Sequence, residues 1–264
     1  MTVAGELPEL AETIIKHSNH GRDTITSVLG FMWQEPEWSA NFLLGINVLA
    51  EKFDRLSFEI EEADISERSR KLYQGAAEIL RNLMLPPGLL GKTVDHLHNQ
   101  QNHIDILFMA SDTLKRPSLS IPPIELRQEL IKTLESAITQ TKEADLDAAL
   151  ERLIVSHLET VLFAVRAFEH LGVEGVTRIF GAAVADVTRA AKLPEAKTGT
   201  AKQIFKATKT ALAAVGGLLI FSGQAAEGAE KLISHGEGVL ESLGFAVEGE
   251  GDSNGNPALP SPDN

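Results

Sequence analysis

IELRQELIKTLESAITQTKEADLDAALERLIVSHLETVLFAVRAFEHL, residues 124–171, is the stretch that decides the fold class. Its apolar residues recur at the 3.6-residue period of a helix, not the two-residue alternation of a strand. Two such runs, Ile124–Lys142 and Asp145–Leu171, are separated by a very short connection, which predicts an antiparallel helical hairpin. Gly172 follows at once and supplies a C-terminal stop for the second helix.

The same period continues outward in both directions, and β-branched runs are short. Upstream, Pro8 sits just inside a first helix that ends at His20–Gly21, and Asp23 caps a second through Trp33. Pro36 begins a long helix carrying Phe42, Leu43, Ile46, Leu49, Ala50 and Phe53 on one face. Asp64 and Glu67 have the form of a capping box and open a helix to about Leu83. Leu85-Pro86-Pro87-Gly88 is a strong break, after which Leu89–Lys115 reads as one helix. Residues 116–123, with three prolines, are the expected linker between an N-terminal helical part (1–115) and a C-terminal one (124–246). Downstream of Gly172 a helix runs from about Glu174 to Leu193, and Pro194 and Gly199 mark a turn. A helix over the 202–226 region follows, then a weak one over about Glu227–Leu243. Residues 247–264, acidic and rich in Gly, Pro and Ser, are expected to be a disordered tail. The prediction is an all-α protein, an irregular bundle of about nine or ten helices, without a repeat of solenoid length.

Among its 264 residues the chain carries a net charge of −13, unevenly placed. Between Gly175 and Thr210 seven basic residues face Asp186 and Glu195, a local charge of +5, so the remainder carries −18. Residues 224–264 alone carry −7. An acidic balance of this size argues against nucleic acid as a partner. The absence of cysteine excludes disulfides, thiolate catalysis and cysteine-ligated zinc. The first residues lack the basic and apolar regions of a secretory signal, and the longest uncharged run, 210–226, falls short of a spanning helix. The expectation is a cytoplasmic protein, peripheral to a membrane at most.

Catalytic patterns are sparse. His96, His98 and His103, on one expected helix with Asp95 and Asp105, fall on opposite borders of its apolar stripe and cannot share one ion unaided. A metal site would need His17 and His20 from the first helix, and the default is that these histidines are polar edge residues. Gly-x-Ser-x-Gly, His-Glu-x-x-His and Glu-x-x-His are absent; Gly91-Lys92-Thr93 lacks the leading glycine of a phosphate loop, and Gly216-Gly217 lacks a nucleotide fingerprint. No metal or cofactor is expected. Arg152-Leu-Ile-Val-Ser-His157 resembles the Arg-x4–6-His pattern of the HEPN family, all-α proteins that include ribonucleases. The resemblance implies an RNA-cleaving site formed by Arg152 and His157 of paired protomers. On a straight helix the two lie about 140° apart, so convergence would require a dimer or a helix break.

KQIFKATKTALAAVGGLLIFSGQAA, residues 202–226, joins a basic helical face directly to an apolar run. Ile204, Phe205, Thr208, Ala211, Leu212, Val215 and Leu219 share one face, and Lys202, Lys206 and Lys209 occupy the opposite one. Small residues four apart, ending at Gly216 and Gly217, allow backbones to approach closely. This combination suits a core helix with a solvated lysine face, a seam between copies, or a segment entering an anionic membrane. Aromatic residues concentrate at 31–58, where Trp33 and Trp38 form either core or an exposed docking knob. The functional expectation is a non-enzymatic helical interaction protein, self-associating or docking a protein partner through its C-terminal half. A membrane-associated protein using 202–226 and a HEPN-like ribonuclease are the alternatives.

Overall fold

The computed structural model describes residues 3–18, 22–114 and 122–221, with side chains as far as residue 219. The chain is all-α, and no strand occurs among the described residues. In chain order the helices are α1 (Val3–His17), α2 (Ile25–Trp33), α3 (Ala40–Glu62), α4 (Glu67–Met84) and α5 (Val94–His98). They continue as α6 (Gln101–Thr113), α7 (Ile124–Glu143), α8 (Ala148–Arg166), α9 (Phe168–Ala190) and α10 (Gly199–Phe221), with a 3₁₀ turn at Pro194–Lys197 before the last. His20, Gly21, most of the expected linker, the weak helix at 227–243 and the tail at 247–264 lie outside the described residues.

The α7–α8 hairpin forms where the periodicity places it. Asp147 caps α8, its carboxylate accepting from the backbone N–H groups of Ala149 and Leu150 at 2.9 and 3.2 Å. Leu130, Leu134 and Ala137 of α7 and Leu150, Ile154, Leu158 and Val161 of α8 are buried at helical spacing. The second helix is shorter than expected. It ends at Arg166, and the chain restarts helically at Phe168 before Gly172 interrupts α9 at φ 69°, ψ 173°.

Around this hairpin α8 packs on α9, and α10 lies against α7 and α9. The earlier helices assemble in the same way, with α1 against α3 and α6, and α4 against α3 and α6. Contacts of α3 with α9 join the two groups.

Several boundaries move for identifiable reasons. The long helix starts at Ala40, not Pro36, because Trp38 occupies a left-handed conformation at φ 65° and Ser39 is the residue that accepts from Phe42 N–H. Thr24, not Asp23, caps α2, since the Asp23 carbonyl is engaged by Val94 N–H at 2.9 Å. Ser66, not Asp64, caps α4. The single helix expected over 89–115 is two. The backbone of Lys92 and Val94 pairs with Ile25 and Asp23, and Gly91 sits at φ 76°, so helix begins only at Val94. It breaks again at Asn99–Gln100, inside a run of polar residues with no apolar side chain to pack.

Trp33 belongs to the core. Its ring is 1 % exposed. It packs against Phe42 and Phe163, with ring centroids 5.4 and 6.1 Å away. Gly45 makes this possible, because a Cβ there would lie 2.6 Å from the indole. An exposed knob built on Trp33 is therefore ruled out by its burial, and Trp38, with its ring on Phe42, keeps 42 % exposure.

Candidate functional site

The histidines singled out by spacing do not converge. His96 accepts from the backbone N–H of Thr93 as part of the α5 start, and His98 is exposed. His103 lies beyond the helix break, and His17 bonds to the Thr13 carbonyl oxygen at 2.9 Å. Among the described residues no group of three or more His, Asp or Glu side chains is placed to hold a metal ion. Arg152 and His157 turn to different neighbours within the chain. The exposed Arg152 donates to the Ala148 carbonyl at 2.9 Å, whereas His157 Nε2 lies 3.4 Å from the Asp186 carboxylate on α9.

Two polar features stand out, and the first is a charged seam between α1, α3 and α9. Lys52 lies at helical spacing from Leu49 and Leu56, so its ammonium enters the seam with only 11 % side-chain exposure. It donates to Glu6 at 2.6 Å and to the His170 carbonyl oxygen at 2.7 Å. Arg55 bridges Glu59 and Glu174, Arg178 pairs with Glu51, and Arg127 of α7 reaches Glu169. A cavity of about 350 Å³ lies between Lys52, Arg55, Glu174 and Arg178.

Burial pushes the His170 imidazole down to about 4, outweighing the neighbouring Glu169; Lys52 adds to the lowering. The imidazole is thus neutral at neutral pH. Cations and carboxylates alternate along the seam, which suits a clamp between helices. Sequence reading missed the seam. Its signal was present in Lys52 and Glu59, which fall on an otherwise apolar helical face.

The second feature is the surface made by α10 and α7. On α10, Ile204, Phe205, Leu212 and Val215 are buried, as is every residue from 211 to 219, including Gly216 and Gly217. Each fully buried leucine or valine contributes about 1.5–3 kcal/mol through removal from water. Lys202, Lys206 and Lys209 emerge on the exposed side.

Between the helices runs a groove of about 540 Å³. From α7 it receives Lys132, Thr133, Ser136 and Gln140, and from α10 Gln203, Lys206 and Thr210, over a floor of Ala137 and Ala207. Among the described residues no carboxylate lines it.

Most basic residues elsewhere are paired, although Arg22, Arg68, Lys92 and Arg152 have no ion-pair partner among the described residues. Lys16, Lys52, Arg55, Arg70, Lys71, Arg81, Arg127, Lys142, Arg166, Arg178 and Arg189 pair with carboxylates. Lys132, Lys192, Lys197, Lys202, Lys206 and Lys209 have no ion-pair partner among the described residues. Among those residues no helix is long and apolar enough to cross a membrane. No protein-family model, curated protein or solved structure matches this chain.

Proposed function

We propose that this chain is a non-enzymatic helical interaction protein that docks an acidic segment of a protein partner on the basic face of α10 and the adjoining groove. The observation that carries this reading is the run of lysines from Lys192 to Lys209 with no ion-pair partner among the described residues, in a chain of net charge −13. The apolar face of α10 is already buried against its neighbours. What the helix offers outward is cationic and hydrogen-bonding, suited to carboxylates. Burial of 211–219 inside the bundle supports a protein-docking role over insertion of this segment into a membrane.

The test is affinity purification with the full chain, identification of the bound protein, and reconstitution from purified components. Binding should weaken about tenfold or more in the variant Lys202→Glu/Lys206→Glu/Lys209→Glu, as expected for charge complementarity. Overturning outcomes are a monomer that captures no specific protein, or anionic vesicles bound by the wild type and released by the variant.

A further inference from the structure

The groove between α7 and α10 is rich in unspent hydrogen-bond donors. Lys132 of α7 and Lys206 of α10 line it from opposite walls, and neither ammonium has an ion-pair partner among the described residues. A helical hydroxyl can spend its proton on the carbonyl four residues back. Thr133 does so to Glu129 at 2.9 Å, Thr139 to Glu135 at 3.0 Å and Thr141 to Ala137 at 2.7 Å. Ser136 and Thr210, which also line the groove, make no such bond among the described residues. Ser136 Oγ instead accepts from the Gln140 amide at 3.1 Å, which leaves its own proton to donate. The exposed Gln203 amide adds N–H donors from α10.

A site of this make-up matches a ligand that only accepts and that carries more charge than a carboxylate. A carboxylate brings a single charge on two oxygens. A phosphomonoester brings about 1.5 to 2 negative charges at neutral pH and three strong acceptor oxygens. Facing ammoniums, with hydroxyls and an amide between them, meet the second in both charge and number of donors. At about 540 Å³ the groove has the size of sites that enclose a ligand of many atoms, more than a phosphate ion alone.

We infer that the α7–α10 groove reads phosphorylation. It takes a phosphoserine or phosphothreonine within the docked acidic segment of the protein partner, its phosphoryl oxygens held by Lys132, Lys206, Ser136, Thr210 and Gln203. Lys202 and Lys209, on the same helix but outside the groove lining, supply general attraction for the acidic residues beside it. The inference rests on the proposed acid-binding role of this face and adds a switch, in which phosphorylation of the partner tightens docking.

The experiment titrates the full chain, by calorimetry, with short synthetic acidic peptides identical except for phosphoserine, glutamate or serine at the central position. The phosphoserine peptide should bind about tenfold more tightly than the glutamate peptide. Lys132→Ala/Lys206→Ala should erase that preference, whereas Lys202→Ala/Lys209→Ala should weaken every peptide and keep it. In phosphorus NMR the second ionisation of the bound phosphoserine should move to lower pH with the wild type and not with Lys132→Ala/Lys206→Ala, because facing ammoniums favour the dianion. Equal affinity for the phosphoserine and glutamate peptides, a preference that survives Lys132→Ala/Lys206→Ala, or no binding of the phosphopeptide would each overturn the inference. N-acetylphosphoserine binding as tightly as the peptide would do so too, since the ligand would then be a small phosphorylated molecule. A captured protein partner that binds equally with and without phosphate leaves the docking function standing and removes the phosphate reading alone.

Discussion

Lys52 on α3 and Glu6 on α1 meet at 2.6 Å, and the same ammonium donates to the carbonyl oxygen of His170, so one side chain ties three helices distant in sequence. Glu6 keeps 23 % exposure while Lys52 keeps 11 %. The pair is screened far less than a surface ion pair, though not fully desolvated. Lys52→Met should cost about 2–3 kcal/mol, below the full penalty for orphaning a buried charge. Adding Glu6→Gln should recover part of that loss, read as coupling in urea unfolding of both single variants and the double. Glu159→Ala, which breaks a half-exposed pair with Lys142, should cost under about 1 kcal/mol. Equal losses at the two sites would contradict the clamp.

Gly172 turns the chain beside this pair in a conformation, φ 69° and ψ 173°, that is open almost only to glycine. A Cβ there would stand 3.2 Å from both Glu6 Oε2 and Lys52 Nζ. Gly172→Ala should therefore lose about 2–3 kcal/mol from backbone strain and a displaced ion pair together. In the background Lys52→Met the same substitution should lose less, because the displaced contact is already gone.

The buried His170 sets a pH dependence. Its folded imidazole titrates at about 4 against an ordinary 6.5. Between those values the unfolded chain binds a proton that the folded chain refuses, so stability is greatest above pH 6.5 and falls as pH drops toward 4. The loss amounts to about 3 kcal/mol when the window is crossed completely. His170→Gln should flatten this part of the profile in denaturant titrations from pH 7 to 4. Glu169, Lys52, His17 and Arg127 are the charged or titratable groups that act on the ring.

At the core, Gly45→Ala would press a methyl group 2.6 Å from Trp33. Overpacking of this kind costs about 1–3 kcal/mol, and Trp33→Phe in the same chain should relieve part of it. Thermal unfolding of the four combinations measures the coupling.

The two sides of α10 should respond oppositely. Leu212 is 1 % exposed, and Leu212→Ala should destabilise by about 2–5 kcal/mol. Reversing the charge of Lys202, Lys206 and Lys209 together should leave unfolding within about 1 kcal/mol of the wild type. A large stability loss on charge reversal would place these lysines in the fold instead of on a binding face.

Helix identity was legible in the chain because a 3.6-residue apolar period is a local property. The α7–α8 hairpin, the core face of α10 and the break at Leu85–Gly88 stand where the residues place them. Helix starts were less legible. Ser39, Ser66 and Thr24 displaced Pro36, Asp64 and Asp23; Trp38 turns left-handed just before Ser39, and beside Thr24 the Asp23 carbonyl is held by the distant Val94 N–H. The helix expected at 89–115 split for the same reason, since its first residues pair with Asp23 and Ile25. Of the candidate interaction residues, the lysines kept the exposed face their spacing gave them. Trp33 went inside because Gly45, on another helix, opened a slot for it.

By itself the sequence determined the all-α class, the buried face of α10 and the imbalance between a basic island and its acidic surroundings, because period and charge are additive along the chain. Tertiary structure alone decided that Lys52, Glu6 and His170 form one clamp. It also decided that α7 supplies Lys132, Thr133, Ser136 and Gln140 to complete a groove beside the α10 lysines. Those groupings join residues tens to more than a hundred positions apart, and proximity of that kind is set by helix packing, which no local pattern encodes.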